Sequence, residues 1–382
     1  LVGLLAFAAR NRFRLTPALV GEQGVTAKRT LARSVAAEAL LGLVVVLAAG
    51  LLGGLTPAMH AEALWPFAWR PSLDALEEPD LVPEIATAAA WIVLSVLLAI
   101  ATFFWRRRAF WGAALLAAAV IGLAAPHLSP LLVEAYPTQY WSSPTGFSVH
   151  SIAEGGKLFP PNCAVCHGAG GRGDGPGATG LPVPPADLTA EHLWAHADGE
   201  LFWWLSHGMV GPTGELVMPG FEDVLSTEQR WALIDWIRAN NAGVAHRATG
   251  AWPVPILAPG LAVSCGGHPG TFADLQGRVL RLVFAPSAPA PGVVTVEVGQ
   301  EPGPLSGPLL CGTDQADAVA VYQTVTGIDA GELRRVQILV DPQGYLRLVE
   351  PADEDPSVLA RAVADIAAHP IGASQPVHMH QH

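Results

Sequence analysis

The 382-residue sequence has only four cysteines, and charged residues make up just 14% of it. Four cysteines are too few for a scaffold built from disulfides. Basic residues are also scarce, with 21 Lys and Arg against 33 Asp and Glu, and the formal net charge of −12 argues against nucleic acid as a partner. The sequence shows no phosphate-binding loop, no Ser-His-Asp set and no paired carboxylates in a helical frame, so it does not predict an enzyme.

Hydrophobic residues, in contrast, make up 51% of the chain and its mean hydropathy is +0.36. Three apolar stretches in the first third reach the roughly 20 residues needed to cross a bilayer, and they lie at 34–57, 85–105 and 109–133. Residues 1–9 are interpreted as the end of a fourth stretch, and we expect an upstream part to be missing because the chain starts without Met. The alternative is a set of buried helices in a soluble protein.

Basic residues predict the orientation of these stretches. They concentrate in residues 10–33 and again in Arg106–Arg108, whereas the loop 60–84 is acidic. Cytoplasmic loops are enriched in Lys and Arg, so the basic segments should be cytoplasmic. We therefore expect a multi-pass protein of a bacterial inner (plasma) membrane, with everything after about residue 134 on the periplasmic, exterior side.

One part of this membrane region has a family resemblance. Residues 11–19 (Asn-Arg-Phe-Arg-Leu-Thr-Pro-Ala-Leu) and 31–35 (Leu-Ala-Arg-Ser-Val) resemble the C-terminal part of the copper-resistance D family, over about residues 1–60. That resemblance implies copper passage across the inner membrane. Met59 and His60 follow the helix, and thioether and imidazole groups suit Cu(I). The alternative is that both are ordinary interfacial residues.

The motif with the clearest chemistry is Cys163-Ala-Val-Cys166-His167, the Cys-x-x-Cys-His attachment motif of c-type haem. Its two thiols can add to the two vinyl groups of one porphyrin edge, and the imidazole then points at the iron. A redox-active cysteine pair and half of a zinc site are the alternatives, but no second ligand pair and no βαβ context follow. The glycine-rich residues 168–175 are expected to let the backbone pass close to the flat macrocycle.

A second axial iron ligand is expected downstream. Met218 is the favoured candidate because it lies on an irregular segment just before the last helix, whereas Met209 and His207 end a predicted helix. Met209, His207 or an open position remain alternatives. A carbonyl of the Pro-rich segment 181–188 is expected to accept a hydrogen bond from Nδ1 of His167 and so fix its tautomer.

Taken together, residues 136–240 resemble a class I cytochrome c domain, and more closely the exported monohaem module fused behind copper-resistance D segments. The residues that carry the resemblance are Cys163-Ala-Val-Cys-His-Gly168, Gly171-Arg-Gly-Asp-Gly-Pro176, Pro185-Ala-Asp-Leu-Thr189 and Met218-Pro-Gly-Phe221. The resemblance implies an all-α domain that transfers electrons to redox protein partners through one covalent haem c.

The last third has a mixed α/β pattern. Strands are expected at 278–284, 293–298, 335–341 and 344–348, with a closing helix at 356–368. This order resembles a thioredoxin-like domain of the redoxin or Sco type, and Sco proteins handle copper. The family's reactive cysteine pair would fall in residues 284–291, which contain no cysteine, so its thiol chemistry does not carry over.

Two features of the last third stay open. Cys265 and Cys311 would either form a disulfide on an oxidising exterior face or remain as two unpaired thiols. The tail is either a weak metal-binding segment or a polar end, and its candidate ligands for copper are His378, Met379, His380 and His382.

The sequence therefore predicts a multi-domain chain, with a helical transmembrane segment, an all-α cytochrome c domain and an α/β thioredoxin-like domain. The expected boundaries are 1–133 for the membrane segment, 134–245 for the cytochrome, 246–260 for a linker, 261–370 for the thioredoxin-like domain and 371–382 for the tail. The predicted function is single-electron transfer at the exterior face. Copper uptake or handling, with the haem supporting copper redox chemistry, is the alternative, and a subunit of a larger oxidase is a third possibility.

Overall fold

The structure is a computed structural model, and it describes residues 8–20, 24–54, 64–76, 78–105, 107–211, 213–299, 310–313 and 315–371. The chain separates into two units, Leu1–Ala63 and Leu64–His382, and each is described by itself.

The first unit consists mainly of one long helix. A π-helical turn, Asn11–Leu15, and a 3-10 turn, Pro17–Val20, precede helix α1, Gly24–Gly54. The amide Nδ2 of Asn11 donates to a carboxylate oxygen of Glu38 at 2.8 Å. This bond gives Glu38, a half-buried acid within an apolar helix, a local polar partner.

The second unit begins with a pair of contacting helices, α2, Val82–Trp105, and α3, Arg107–Ala124, and α3 is extended by a 3-10 segment, Ala125–Leu131. Among the described residues, three helical segments are long and apolar enough to cross a membrane, namely Thr26–Leu47, Val82–Phe103 and Ala109–Leu131. Their side chains are mostly exposed in the isolated chain. The three apolar stretches seen in the sequence are thus confirmed as candidate membrane helices.

Short strands join the helix pair to the rest of the second unit. Strand β1, Trp69–Pro71, pairs antiparallel with β2, Leu132–Glu134, directly after the 3-10 segment. Two residues later, the ring of Tyr136 stacks on Trp203 with centroids 6.2 Å apart and meets Trp204 edge-on at 5.6 Å. Both tryptophans belong to the following helical domain, so the end of the membrane pair that carries β1 and β2 lies beside that domain.

The helical domain contains α4, Val149–Asn162; α5, Ala164–His167; α6, Asp198–His207; and α7, Thr227–Thr249. Between α6 and α7 lies an antiparallel hairpin of β3, Gly208–Val210, and β4, Leu216–Pro219. The predicted all-α description is therefore too simple, because the segment expected to be irregular pairs with the residues that follow α6.

Helix α7 starts where the sequence predicted, because Ser226 and Gln229 form a reciprocal capping box. The helix was expected to end at Asn240 but continues to Thr249, where Gly250 adopts a left-handed conformation with φ of 76°. The nine additional residues pack against the C-terminal region, and this packing stabilises a segment whose sequence resembled a linker.

The C-terminal region is a seven-stranded mixed sheet. Its strands are β5, Ala262–Cys265; β6, His268–Thr271; β7, Leu280–Val283; β8, Val294–Val298; β9, Leu310–Thr313; β10, Val336–Val340; and β11, Leu346–Pro351. The spatial order is β11-β10-β7-β8-β9-β5-β6. Strands β7, β8 and β9 are parallel neighbours, whereas β10 is antiparallel to both of its neighbours, β7 and β11. The helices are α8, Ala318–Thr326; α9, Ala330–Leu333; and α10, Pro356–Ala368.

The helical domain and the sheet share one hydrophobic core. Ala239 and Ala242 of α7 belong to the same buried cluster as Tyr322 and Val325 of α8. A Cβ on Gly243 would lie 1.8 Å from the carbonyl oxygen of Thr324, so the two helices approach as closely as glycine permits.

The predicted linker, 246–260, also differs from expectation. Its first four residues belong to α7, and Ile256 and Ala258 are buried in the shared core. Beyond α7, the segment is held by backbone hydrogen bonds, including those from Val149 N to the carbonyl of Gly260 and from Leu346 N to that of Ile256. The domain boundaries themselves stay predictions.

Candidate haem site

The two motif cysteines lie on a single tight turn. Cys163 follows the last residue of α4, and its carbonyl accepts hydrogen bonds from the backbone N–H groups of Cys166 at 3.2 Å and His167 at 2.9 Å. The four residues Ala164–His167 form the one-turn helix α5. The turn therefore brings two thiols and one imidazole together within five residues.

The environment of the thiols argues against a redox-active cysteine pair. Neither Cys163 nor Cys166 is in a disulfide. Burial of Cys163, and secondarily the neighbouring Cys166, raises the pKa of the Cys163 thiol to about 11. Reactive cysteines instead have lowered pKa values and electropositive surroundings. Cys163 is a protonated thiol packed in an apolar cluster, which fits a structural attachment role better than thiol–disulfide exchange.

The imidazole of His167 is oriented by the Pro-rich segment. Its Nδ1 lies 2.9 Å from the carbonyl oxygen of Ala186, so Nδ1–H donates and Nε2 keeps its lone pair. Histidines that bind metal ions through Nε2 typically donate Nδ1–H to a carbonyl or carboxylate in this way. The sequence predicted a carbonyl within residues 181–188 as the acceptor without deciding which, and the structure places Ala186 there.

The glycine-rich loop after His167 folds back on the attachment turn. Gly173 N donates to the carbonyl of His167 at 2.8 Å, and Gly175 N to that of Cys166 at 3.0 Å. A Cβ on Gly173, whose φ is 77°, would lie 2.5 Å from the carbonyl oxygen of Pro185. Glycine at Gly173 was expected to make room for a macrocycle, but the structure gives it a different role, close backbone packing between loop and Pro-rich segment.

Met218 lies on β4, directly opposite Met209 on β3. Residues paired across an antiparallel hairpin have side chains on the same face. Met218 is half-buried and packs against the apolar cluster that includes Cys163, whereas Met209 is 39% exposed and outside that cluster. Of the two methionines, Met218 is therefore the one that packs against the cluster containing Cys163.

His207, another candidate ligand, has other contacts. Its ring stacks on Trp203 with centroids 3.8 Å apart, and its Nε2 lies 3.6 Å from a carboxylate oxygen of Glu222. These contacts place the imidazole beside α6 and the loop after β4. Met218 remains the better candidate for the second axial position.

An apolar wall packs against one side of the attachment turn. It comes from α4, α6, α7 and the loop before α7, and its buried members are Phe159, Cys163, Phe202, Leu205, Leu225, Trp231, Leu233 and Ile234. Helices α4 and α7 cross closely there, because a Cβ on Gly155 would lie 2.0 Å from the carbonyl oxygen of Ala232. The guanidinium of Arg230 lies 4.8 Å from the ring centre of Phe202 and closes one edge of the wall.

Two asparagines of α7 hold the loops of the site, and the sequence analysis did not single them out. Asn240 Nδ2 donates to the carbonyl of Gly170 at 3.0 Å. Asn241 Nδ2 donates to the carbonyls of Leu188 at 3.0 Å and Ala190 at 2.9 Å. Two adjacent asparagines at the end of the predicted helix were the available sequence feature, but their partners are 50 or more residues away in the sequence.

The predicted copper residues lie outside the described residues. This applies to Met59 and His60 and to the tail residues His378, Met379, His380 and His382. Within the part of the chain that the structure describes, no group of three or more His, Cys, Asp or Glu side chains could hold a metal ion. Cys265 and Cys311, the other open question, form a disulfide between β5 and β9.

Comparison with known proteins gives one family match, to "Cytochrome C oxidase, cbb3-type, subunit III", over residues 150–237. No curated protein matches the chain. Among solved structures, a chain of the Kuenenia stuttgartiensis reducing HAO-like protein complex Kustc0457/Kustc0458 is similar at 23% identity, with a TM-score of 0.22. The similarity covers 32% of this chain and 58% of that one.

The chain therefore contains a cytochrome c domain, a family with covalently bound haem c, together with three candidate membrane helices. The resemblances of residues 1–60 to the copper-resistance D family and of residues 261–370 to Sco-type domains stay predictions.

Proposed function

We propose that the protein is a membrane-anchored cytochrome that transfers single electrons through one haem c, attached at Cys163 and Cys166 and ligated by His167 and Met218. The observation that carries this proposal is the attachment turn inside the matched segment 150–237. Two unpaired thiols and an imidazole with its Nε2 lone pair available are the donor set that this cofactor requires.

The surrounding residues fit the proposed haem. A c-type haem supplies a reversible one-electron change between ferric and ferrous iron. The carbonyl of Ala186 fixes the orientation of His167, and the apolar wall excludes water from the centre. Burial and a Met ligand both favour the ferrous state and so raise the reduction potential. The chain's own contribution is thus to hold, shield and tune the redox centre.

The proposal places the haem domain on the exterior face of a bacterial inner membrane. Support comes from three apolar helical segments and from basic residues in the connections before α1 and between α2 and α3. With this orientation the helices serve as a multi-pass anchor, and the haem domain meets its redox protein partners outside the cytoplasm.

The C-terminal region is proposed to be a thioredoxin-like domain with a structural role. The strand order β11-β10-β7-β8, in which β7 and β8 are parallel and β10 is antiparallel to both β7 and β11, supports this assignment, as does the closing helix α10. Residues 284–293, between β7 and β8, contain neither a helix nor a cysteine. The domain instead supplies α8 and the sheet on which the end of α7 packs.

Two alternative functions can be distinguished from simple electron transfer by experiment. The matched family is described as an oxidase subunit, which supports the idea that this chain is the cytochrome subunit of a larger oxidoreductase. Co-purification of a catalytic partner from membranes would test it. Copper handling, the earlier alternative, depends on residues outside the described part of the chain. Stoichiometric copper beside iron in the purified protein would favour it, and iron alone would favour the simple carrier.

The central experiment is acid–acetone extraction of the denatured protein, followed by haem staining and iron analysis. The pigment should remain with the polypeptide at one haem per chain, because thioether bonds survive denaturation. The Cys163→Ala/Cys166→Ala variant should lose it, whereas Cys265→Ala/Cys311→Ala, which also removes two cysteines, should retain it. Pigment that extracts freely from the wild-type protein, or none at all, would refute the proposal.

A further inference from the structure

A groove of about 600 Å³ lies between α2 and α3, at the end of the helix pair that is joined to the haem domain. This volume is within the usual range for small-molecule sites, about 300–1,000 Å³. Its walls are mostly apolar and include Ala88, Trp91, Val120 and Leu123. Two ionisable side chains, Glu84 and His127, line the same groove.

Glu84 and His127 form a pair that the electron-carrier function does not explain. Nδ1 of His127 lies 2.5 Å from Oε1 of Glu84, although the residues are 43 positions apart in the sequence. Both fall within the candidate membrane segments Val82–Phe103 and Ala109–Leu131, and each side chain is about half exposed. Ionisable residues are costly in membrane segments and usually mark functional sites.

The hydrogen bond sets the chemistry of the pair. When His127 donates Nδ1–H to the carboxylate, its Nε2 retains a lone pair and can accept a hydrogen bond from a hydroxyl group. If Nε2 then takes up the hydroxyl proton, the resulting imidazolium is stabilised by Glu84 at hydrogen-bond distance. The pair can therefore bind a weakly acidic hydroxyl and also accept its proton.

We propose that this groove binds the head group of a lipid-soluble hydroquinone, with His127 accepting a hydrogen bond from one of its hydroxyls. The apolar walls suit a flat ring, and the exposed indole of Trp91 offers a surface on which that ring can stack. A hydroquinone is both an amphiphile, as the mixed lining requires, and an electron donor. The inference rests on the proposed electron-transfer function and adds the class of electron donor to it.

The balance of the reaction is simple. Oxidation of a hydroquinone to a quinone breaks two O–H bonds and releases two protons and two electrons. Nε2 of His127 takes one proton, and water at the membrane surface takes the other. The two electrons would pass one at a time to a haem held at Cys163, Cys166 and His167, and a soluble one-electron acceptor protein would remove the first before the second arrived.

The groove lies at the end of the helix pair that is joined to the haem domain. His127 lies in the 3-10 segment that leads into β2, and Tyr136 follows β2. The ring of Tyr136 contacts Trp203 and Trp204 of α6, and α6 contributes Phe202 and Leu205 to the wall around the attachment turn. The groove and the haem domain are thus connected through a short, packed segment.

Binding of decylubiquinol to the full chain with its haem reduced beforehand by dithionite, measured by anaerobic calorimetry in lipid nanodiscs, tests the inference directly. Thr87 is exposed and lines the groove, so Thr87→Trp should fill it. Thr87→Trp and His127→Gln should each weaken binding about tenfold or more. Leu97→Trp adds the same indole to an exposed position of α2 that does not line the groove, and it should leave affinity within about twofold of wild type.

A second readout is the rate at which decylubiquinol reduces the haem. This rate should fall in Thr87→Trp and in His127→Gln and stay near the wild-type value in Leu97→Trp. Wild-type protein with covalent haem but without decylubiquinol binding would overturn the inference and leave the electron-carrier proposal intact. Protein without covalent haem would instead overturn that proposal. If Thr87→Trp left affinity unchanged, or changed only the oligomeric state on size-exclusion chromatography, the groove would be a helix-docking surface and the inference would be wrong.

Discussion

Met209 and Met218 lie opposite each other across the β3–β4 hairpin, with their Cα atoms in register. Only Met218 packs on the cluster that contains Cys163, although both side chains lie on the same face of the hairpin. Met209 is therefore a suitable control for Met218, because it carries the same side chain on the same hairpin but lies outside the cluster.

Met218→Ala should remove the second axial ligand. The weak far-red absorption band of the ferric protein, which reports Met ligation, should disappear, and the reduction potential should fall by on the order of 0.1 V, because axial ligands and their surroundings span about 0.8 V. Met209→Ala is the control and should keep both the band and the potential. Survival of the band in Met218→Ala would show that another residue is the ligand.

Asp235 is expected to make stability depend on pH. This carboxylate is buried and accepts hydrogen bonds from the hydroxyls of Ser151 at 2.6 Å, Ser143 at 3.3 Å and Thr145. Desolvation by burial dominates and raises its pKa from 3.8 to about 6, with a smaller contribution from Asp198. The folded state thus binds a proton more tightly than the unfolded state.

Since the folded protein holds more protons between pH 3.8 and 6, the contribution of Asp235 to stability falls as pH rises through that window, by on the order of 3 kcal/mol. Melting temperatures of Asp235→Asn should lack this fall, because the amide does not ionise. The exposed Asp223→Asn serves as the control and should follow wild type. An Asp235→Asn profile that runs parallel to wild type from pH 4 to 7 would contradict the assignment.

Gly155→Ala should destabilise the haem domain. The added Cβ would lie 2.0 Å from the carbonyl oxygen of Ala232, so α4 and α7 must separate. Overpacking of this kind costs about 1–3 kcal/mol or more, and the loss should appear as a lower melting temperature and faster haem-pocket opening. Gly170→Ala adds a methyl group in the same domain where no atom lies within 4 Å. Equal stability of the two variants would show that the helices do not cross as described.

Removal of the Cys265–Cys311 disulfide should lower stability without altering the haem spectrum. The bond closes a loop between residues 46 positions apart, and cross-links of this length typically contribute about 2–4 kcal/mol. Cys265→Ala/Cys311→Ala should therefore melt at a lower temperature than oxidised wild type. The reduced wild-type protein provides the comparison, since it should melt near the variant. Thiol titration that finds two free groups besides Cys163 and Cys166 in haem-free protein would rule the disulfide out.

Local sequence features predicted several elements well. Helix α6 runs from Asp198 to His207 as expected, and α10 from Pro356 to Ala368. The start of α10 is encoded locally, because Asp355 accepts a hydrogen bond from Ser357 N and Pro356 occupies the first turn. The sequence also predicted the attachment turn, because Cys163, Cys166 and His167 lie within five positions of one another.

Features that depend on distant partners were not predicted. The β3–β4 hairpin carries weak strand character, and its pairing is set by the packing of Met218 and by Gly208, whose added Cβ would lie 2.3 Å from the carbonyl of Met218. The pairing of Cys265 with Cys311 requires the β5–β9 register. The role of Asn241 requires contacts across about 50 residues. Neither composition nor periodicity contains this information.

The two halves of helix α7 pack against different parts of the molecule. Its first half closes the pocket around the attachment turn, and its second half is clamped to α8 through Gly243 and through His246, whose Nδ1 donates to the carbonyl of Thr326 at 2.7 Å. A displacement of the sheet would therefore also move α7, the helix that carries Asn240 and Asn241. Removal of the C-terminal region is therefore expected to loosen the loops that these two asparagines hold beside the attachment turn.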